Sequence, residues 1–302
     1  MTAARRIRAF LELARPANVI TAFADILAGF AAAGAMTGLL FGQGNAPVEE
    51  LVLLLLATAG LYAGGVVFND VFDADLDARE RPERPIPSGR ATRAQAAVFG
   101  SVLLVGGIAA AACVSLSSFF IAAAVACCAL GYDAAAKHHA IAGPISMGLC
   151  RGGNLLLGAS AVSGMPATLW FLALVPVAYV GAIVVISRGE VHGSRKRPIL
   201  FAMLVTGVVC AALLSLGFRP DYRILDALPF LLFFAFLVFP SFRRAAADPS
   251  PAHIRRAVKA GVLALVALDA TLAAGFGTWI AGLIVLALLP LSILVARRFA
   301  VT

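Results

Sequence analysis

Asn69, Asp73 and Asp77 follow one another at intervals of four residues. On a helix that spacing stacks three oxygen-bearing side chains along one stripe. Carboxylates at i and i+4 repel each other, and a bound cation removes the conflict. Hard oxygen ligands suit Mg2+, which takes one or two carboxylates and completes its shell with water and substrate phosphate. The plainer reading of the same residues is a solvated acidic loop paired with its own arginines. The stripe runs into Arg81-Pro82-Glu83-Arg84-Pro85-Ile86-Pro87-Ser88-Gly89-Arg90, where the prolines prevent a continuous helix. Basic groups beside an acidic metal stripe suit a diphosphate, metal on some oxygens and guanidinium on others. Anchoring of the chain in a membrane is the alternative role for any one of these arginines.

These residues need elements to hold them, and composition says where those elements lie. The chain has 302 residues, 61% of them apolar and 13% charged. That is about half the charged fraction of a soluble domain, too little to coat one of this size. Soluble, disordered, coiled-coil and disulfide-scaffold classes are excluded, which leaves an integral membrane protein in a lipid bilayer. Cys113, Cys127, Cys128, Cys150 and Cys210 show no metal-ligand spacing and read as small buried hydrophobes. Arg5, Arg6 and Arg8 precede a long apolar stretch without a clear cleavage site, so it reads as a retained first helix, not a secretory signal.

Spans are expected at 26–48 and 51–69. Two more lie in 94–132, reversing at Ser115–Ser118, and two in 152–187, reversing at Gly164 and Pro166. Further spans follow at 198–218 and 225–242, and a final pair at 257–296 is broken at Gly275, Gly277 and Thr278. The count is ten, with nine and a re-entrant end as the alternative. Arg79 to Arg93, Lys137, Arg188 to Arg197, Arg243 to Lys259, and Arg297 with Arg298 then share one side with the N-terminal arginines. The positive-inside rule makes that side cytoplasmic, both termini included, and leaves Glu49 and Glu50 outside. The net charge of +8 is accounted for by topology and one face, so nucleic acid is not the expected partner. Asp25 and Asp269 fall within spans, where carboxylates face an interior cavity or serve as partnered structural groups. Tyr62, Phe68 and Phe72 surround the stripe as core packing or as the wall of an apolar tunnel.

Asn69, Asp73 and Asp77 with the Arg81 to Gly89 segment resemble the first aspartate-rich motif of the UbiA family of intramembrane prenyltransferases. Arg15-Pro16-Ala17-Asn18, Tyr132 with Lys137, and Asn154 to Gly158 are similar to further motifs of that family, in the expected order over nearly the whole chain. Gly64 to Asp70 and Ser187 to Gly193 look closest to the branch encoded in the ebo gene clusters of bacteria. The resemblance implies a single all-α membrane domain over residues 1–302, a ring of nine transmembrane helices around a central cavity, with a possible tenth at the C-terminus. It implies Mg2+-dependent ionisation of an allylic isoprenyl diphosphate donor and alkylation of an unknown prenyl acceptor. Asn69, Asp73, Asp77 and Glu190 would hold metal. Asn18, Arg81, Arg84, Lys137, Arg188, Arg195 and Lys196 would bind substrate, and Tyr132 would lie near the reacting carbon, making Asp73, Asp77, Tyr132 and Glu190 the catalytic set. A bacterial cytoplasmic membrane, secondary metabolism and partner proteins from the same gene cluster follow from the branch.

One departure stands out. The family's second motif, after helix six, commonly carries two aspartates four residues apart. Here the segment reads Ile186 to Gly193, with Glu190 its one carboxylate and Ile186 four residues earlier. Arg188, Arg195 and Lys196 could replace metal charge on the diphosphate, and His192 reads as a base, a ligand or a polar loop residue. A non-catalytic isoprenoid carrier or export component therefore stands beside the transferase. An ion-coupled transporter using Asp25 and Asp269 is weaker, because no inverted repeat is evident.

Overall fold

The computed structural model describes residues 3–42, 47–164 and 167–297. Pro166 and Arg298 lie outside these, as does the side chain of Arg5. Among the described residues all regular structure is helical. An amphipathic helix α1 (Ala3–Ala14) buries Ala9 and Leu13 and leaves Arg6 and Arg8 exposed. Helix α2 (Pro16–Ala32) starts with proline at its first turn, the position where a missing N–H costs nothing. It turns by 92° into α3 (Ala35–Phe41). Gly34 makes that turn with φ of +82°.

Then follow α4 (Val48–Phe72), the short α5 (Ala74–Glu80), α6 (Arg93–Val114) and α7 (Leu116–Gly131). Thr92 and Gln95 form a reciprocal capping box on α6. Ser115 caps α7, so the long apolar run reverses where the serines predict. A π turn (Tyr132–Ala136) leads to α8 (Ala142–Ala159). Helices α9 (Thr168–Leu172) and α10 (Leu174–Ser187) form one crossing, followed by α11 (Lys196–Ser215), α12 (Ile224–Ala247) and α13 (Pro251–Phe276). The last crossing is α14 (Trp279–Leu286) with α15 (Leu288–Ala296), separated from α13 at the Gly275–Thr278 break.

Among the described residues eight helices are long and apolar enough to cross a membrane, or nine if the bent pair α2–α3 counts as one. Helix α8 has 18 residues, about 27 Å of helix, and carries Arg151 and Asn154. Neighbouring crossings pack in sequence from α2 through α13, and α13 returns to α2 to close a ring, with α14 and α15 covering that seam. This is the expected all-helical ring; α8 takes its place in it by packing between α7 and α10, although it is outside the eight or nine helices that qualify as spans. The expected first span at 26–48 is corrected: α2 begins at Pro16, and the chain leaves its axis at Gly34.

The ring is held by close backbone approach, as in membrane bundles that lack a hydrophobic drive between helices. A Cβ on Gly29 of α2 would stand 1.9 Å from the Leu155 carbonyl oxygen of α8, and one on Gly158 would stand 2.2 Å from the Ile26 carbonyl oxygen. Apolar side chains such as Val98, Val102, Leu204 and Phe236 face outward, as a lipid-facing surface requires.

Candidate active site

The motif sits where α4 gives way to α5. The helix breaks at Asp73, yet the i to i+4 backbone bonds persist: Asp73 N–H to Asn69 O at 2.9 Å, Asp77 N–H to Asp73 O at 2.8 Å, Arg81 N–H to Asp77 O at 2.8 Å. The three motif side chains therefore remain on one stripe across the break. Each meets a different partner. Asn69 Nδ2 donates to Asp133 Oδ1 at 2.7 Å, Lys137 Nζ donates to Asp73 Oδ1, and Arg84 Nη1 donates to Asp77 Oδ2 at 2.7 Å. The like-charge conflict along the stripe is answered by separate basic groups.

The π turn explains the first two pairings. Its i to i+5 bond, Lys137 N–H to Tyr132 O at 2.9 Å, closes the turn at the end of α7. Asp133 and Lys137 then face Asn69 and Asp73 as two rungs, each pair separated by 64 residues in sequence. Tyr132 has Asp133, Arg188 and Asp73 as charged neighbours, which keeps it at the site as expected.

Two residues outside the expected site set complete the cluster. Asp70 accepts from Arg15 Nη2 at 2.5 Å and from Arg84 Nη1 at 3.2 Å, so Arg84 bridges Asp70 and Asp77. Arg15 has φ of +45°, the one positive φ outside glycine among the described residues. Such a conformation costs about 1 kcal/mol or more and persists where surroundings hold it, here between α1 and α2 with the guanidinium on Asp70. Asn18 lies one turn further, its N–H bonded to Arg15 O at 2.9 Å. Asp133 is the other residue missed. A carboxylate next to a helix-end tyrosine gives no spacing signal until the π turn aims it, although its i, i+4 relation to Lys137 could have raised it.

The loop after α10 joins this end of the bundle. Arg188 Nη2 donates to His139 O at 2.5 Å, tying that loop to the one before α8. The half-buried Glu190 has Arg255 and Arg81 beside its carboxyl, and burial pushes that carboxyl up despite both arginines. Arg255 Nη1 also donates to Glu190 O at 3.2 Å, and Ser194 N–H to Pro249 O at 3.1 Å. Arg81 thus links the end of the stripe electrostatically to Glu190. His192, Arg195 and Lys196 are exposed, whereas Ile186 is fully buried core.

Among the described residues no three His, Cys, Asp or Glu side chains gather as a group that could hold a metal. The stripe instead offers Asn69 Oδ1 and the Asp73 carboxylate, oxygen ligands at the edge of a basic cluster, with Asp133 across from Asn69. That chemistry fits Mg2+, which needs few protein carboxylates when phosphate and water supply the rest.

A family model described as the UbiA prenyltransferase family matches residues 30–257. The digeranylgeranylglyceryl phosphate synthase of Methanothrix thermoacetophila is 28% identical over 219 residues, 71% of this chain and 79% of that protein. The synthase of the same name from Methanopyrus kandleri is 30% identical over 226 residues, 74% of this chain and 79% of its own length. Among solved structures, a digeranylgeranylglyceryl phosphate synthase superposes with a TM-score of 0.69 at 19% identity, over 90% of this chain and 98% of that one. A UbiA homolog from Archaeoglobus fulgidus bound to GPP and Mg2+ gives 0.65 at 16% identity, over 92% and 99%.

Proposed function

Because the chain belongs to the UbiA prenyltransferase family, whose work is isoprenyl transfer to an acceptor in the membrane, we propose that its donor is an allylic isoprenyl diphosphate used with Mg2+ and its acceptor a small molecule. The observation that carries this reading is the paired rungs Asn69–Asp133 and Asp73–Lys137, which set oxygen ligands and a phosphate-binding cation side by side. Asn69 and Asp73 would hold the metal, Asp133 would orient Asn69, and Asp77 at the end of the stripe is fixed by Arg84. When bound, Mg2+ supplies charge that offsets the diphosphate oxygens.

Lys137, which closes the turn onto Tyr132, and Arg188, a charged neighbour of Tyr132, bind the diphosphate through charge-assisted contacts, with Arg195 and Lys196 exposed after the same loop. The allylic C–O bond breaks and its electron pair leaves with diphosphate. The ring of Tyr132 stabilises the allylic cation. The acceptor supplies the electron pair for the new bond and gives up a proton. Arg15 and Arg84 hold Asp70 and Asp77 and so keep the α4 end rigid, acting as positioning residues.

The finer assignments rest on the motif patterns. Gly64 to Asp70 and Ser187 to Gly193 support the ebo-cluster branch, and with it secondary metabolism and partner proteins from one gene cluster. The basic end is read as cytoplasmic in a bacterial inner membrane. Aromatic acids, quinone precursors, porphyrin-like rings and polyols are acceptor classes to screen. The names of the archaeal relatives add a glyceryl phosphate acceptor.

A second reading has its own support. Ile186 is buried core, and Glu190 faces two arginines, so the loop after α10 lacks a carboxylate pair for a second metal. A carrier that binds an isoprenoid without ionising it would need none. The deciding assay is diphosphate release from farnesyl or geranylgeranyl diphosphate by purified protein, with Mg2+ and the acceptor panel. Release supports the transferase; donor binding without release under every condition supports the carrier.

A further inference from the structure

A second polar cluster lies deep in the ring, away from the basic end. Asp25 is about 14 Å along α2 from Pro16, and Asp269 is about 10 Å along α13 from the opposite end at Phe276. Both are fully buried. Asp25 Oδ2 is well held: it accepts from Asn154 Nδ2 at 2.9 Å, and Arg151 Nε stands 3.2 Å away, though not aligned for a hydrogen bond. Asn154 Nδ2 also donates to Ala22 O at 2.9 Å, and Thr58 Oγ1 donates to Asn154 Oδ1 at 2.6 Å. Arg151 Nη2 reaches Thr21 O at 3.3 Å.

The other carboxyl oxygens are different. Asp25 Oδ1 and both oxygens of Asp269 are buried with no hydrogen-bond donor among the described residues. The two carboxyl groups meet at hydrogen-bonding range. The charged neighbours of Asp269 are Asp25 and Arg151, and Tyr62 of α4 also faces Asp25 and Arg151. Two carboxylates against one guanidinium leave one uncompensated negative charge in the apolar centre of the bundle, which is far costlier than a neutral cluster. Three acceptor oxygens and one missing positive charge define what fits.

We propose that Asp25 Oδ1 and Asp269 together bind one monovalent cation, a proton or a sodium ion, at the centre of the membrane domain. A divalent ion would overshoot the charge, and no third acidic, His or Cys ligand joins the pair among the described residues. The bound cation fastens α13 to α2, which Asn154 and Thr58 already fasten to α8 and α4. This site is separate from the stripe and stands whether or not the chain ionises a donor.

The test uses the full-length protein in detergent. If sodium is bound, the melting temperature rises with NaCl by mass action and does not rise with choline chloride at equal ionic strength. If a proton is bound, sodium has no such effect, and infrared spectra show a protonated-carboxyl C=O band that is lost in Asp269→Asn. In either case Asp269→Asn, whose amide can donate to Asp25 without a cation, abolishes the signal and keeps the fold. Should that variant not fold, Asp269→Glu serves, with the band shifted or the sodium dependence altered. The absence of both sodium stabilisation and a protonated-carboxyl band in the parent would overturn the proposal. So would either signal persisting unchanged in the Asp269 variants.

Discussion

At single residues the metal site depends on Asn69 and its neighbour Asp133. Because Asn69 donates through Nδ2 to Asp133, its Oδ1 is turned away from that carboxylate, free to serve as a metal ligand. Partners that orient metal ligands typically change metal affinity or activity 10- to 100-fold. Asp133→Ala is therefore expected to raise the Mg2+ concentration needed for turnover by roughly 10-fold or more. Turnover measured against Mg2+ for parent and variant checks this; superimposable curves would remove Asp133 from the site. The stripe itself was legible in the sequence, because four-residue spacing survives the break at Asp73 through backbone bonds. Its partners were only half legible. Lys137 came through family resemblance, while Asp133 depended on the π turn. Asp70 was hidden because its neighbours in sequence offer no basic group at helical spacing, and Arg15 meets it from 55 residues away.

At the element scale the sequence located the breaks better than the starts. Ser115 and the Gly275–Thr278 segment end helices where their turn chemistry says they should. The first crossing was placed too late because the uncharged run begins at residue 26, although Asp25 itself reads as an intramembrane group. Its partners Arg151 and Asn154 are on α8, so its compatibility with the membrane is a tertiary property. Two variants test how the elements are joined. Gly158→Val puts side-chain carbons onto the Ile26 carbonyl, where even a Cβ would stand at 2.2 Å. It should lower the melting temperature sharply or abolish folded protein, since overpacking typically costs about 1–3 kcal/mol. At Arg15, glycine tolerates φ of +45° and alanine does not. Both variants lose the Asp70 pair, but Arg15→Gly should melt higher than Arg15→Ala, by about 1 kcal/mol of backbone strain. Equal melting temperatures would show that the strain is not borne in the folded chain.

At the scale of the whole molecule, the ring brings the loops after α4, α7 and α10 to one end, joined through Lys137–Asp73, Arg188–His139 and Arg81 beside Glu190. If that end is cytoplasmic, single cysteines at Gly89 and Ser194 should resist impermeant maleimide in intact cells and react after permeabilisation. External labelling of either would reverse the orientation. Composition made the membrane class and its helices legible, because apolar runs of crossing length leave few alternatives in a bilayer, while the ring followed from the family resemblance. Composition could not show that Asp73 pairs with Lys137, since that pair joins segments 64 residues apart. The central claim is that this stripe ionises an isoprenyl diphosphate with Mg2+, and the most direct measurement is Mg2+-dependent diphosphate release by the parent and by Asp73→Asn, with donor binding followed in parallel. Asp73 is partly exposed at a helix end, so the variant should remain folded. The expected result is release by the parent and its loss in Asp73→Asn while the donor still binds; equal release by both proteins would show that Asp73 holds no catalytic metal.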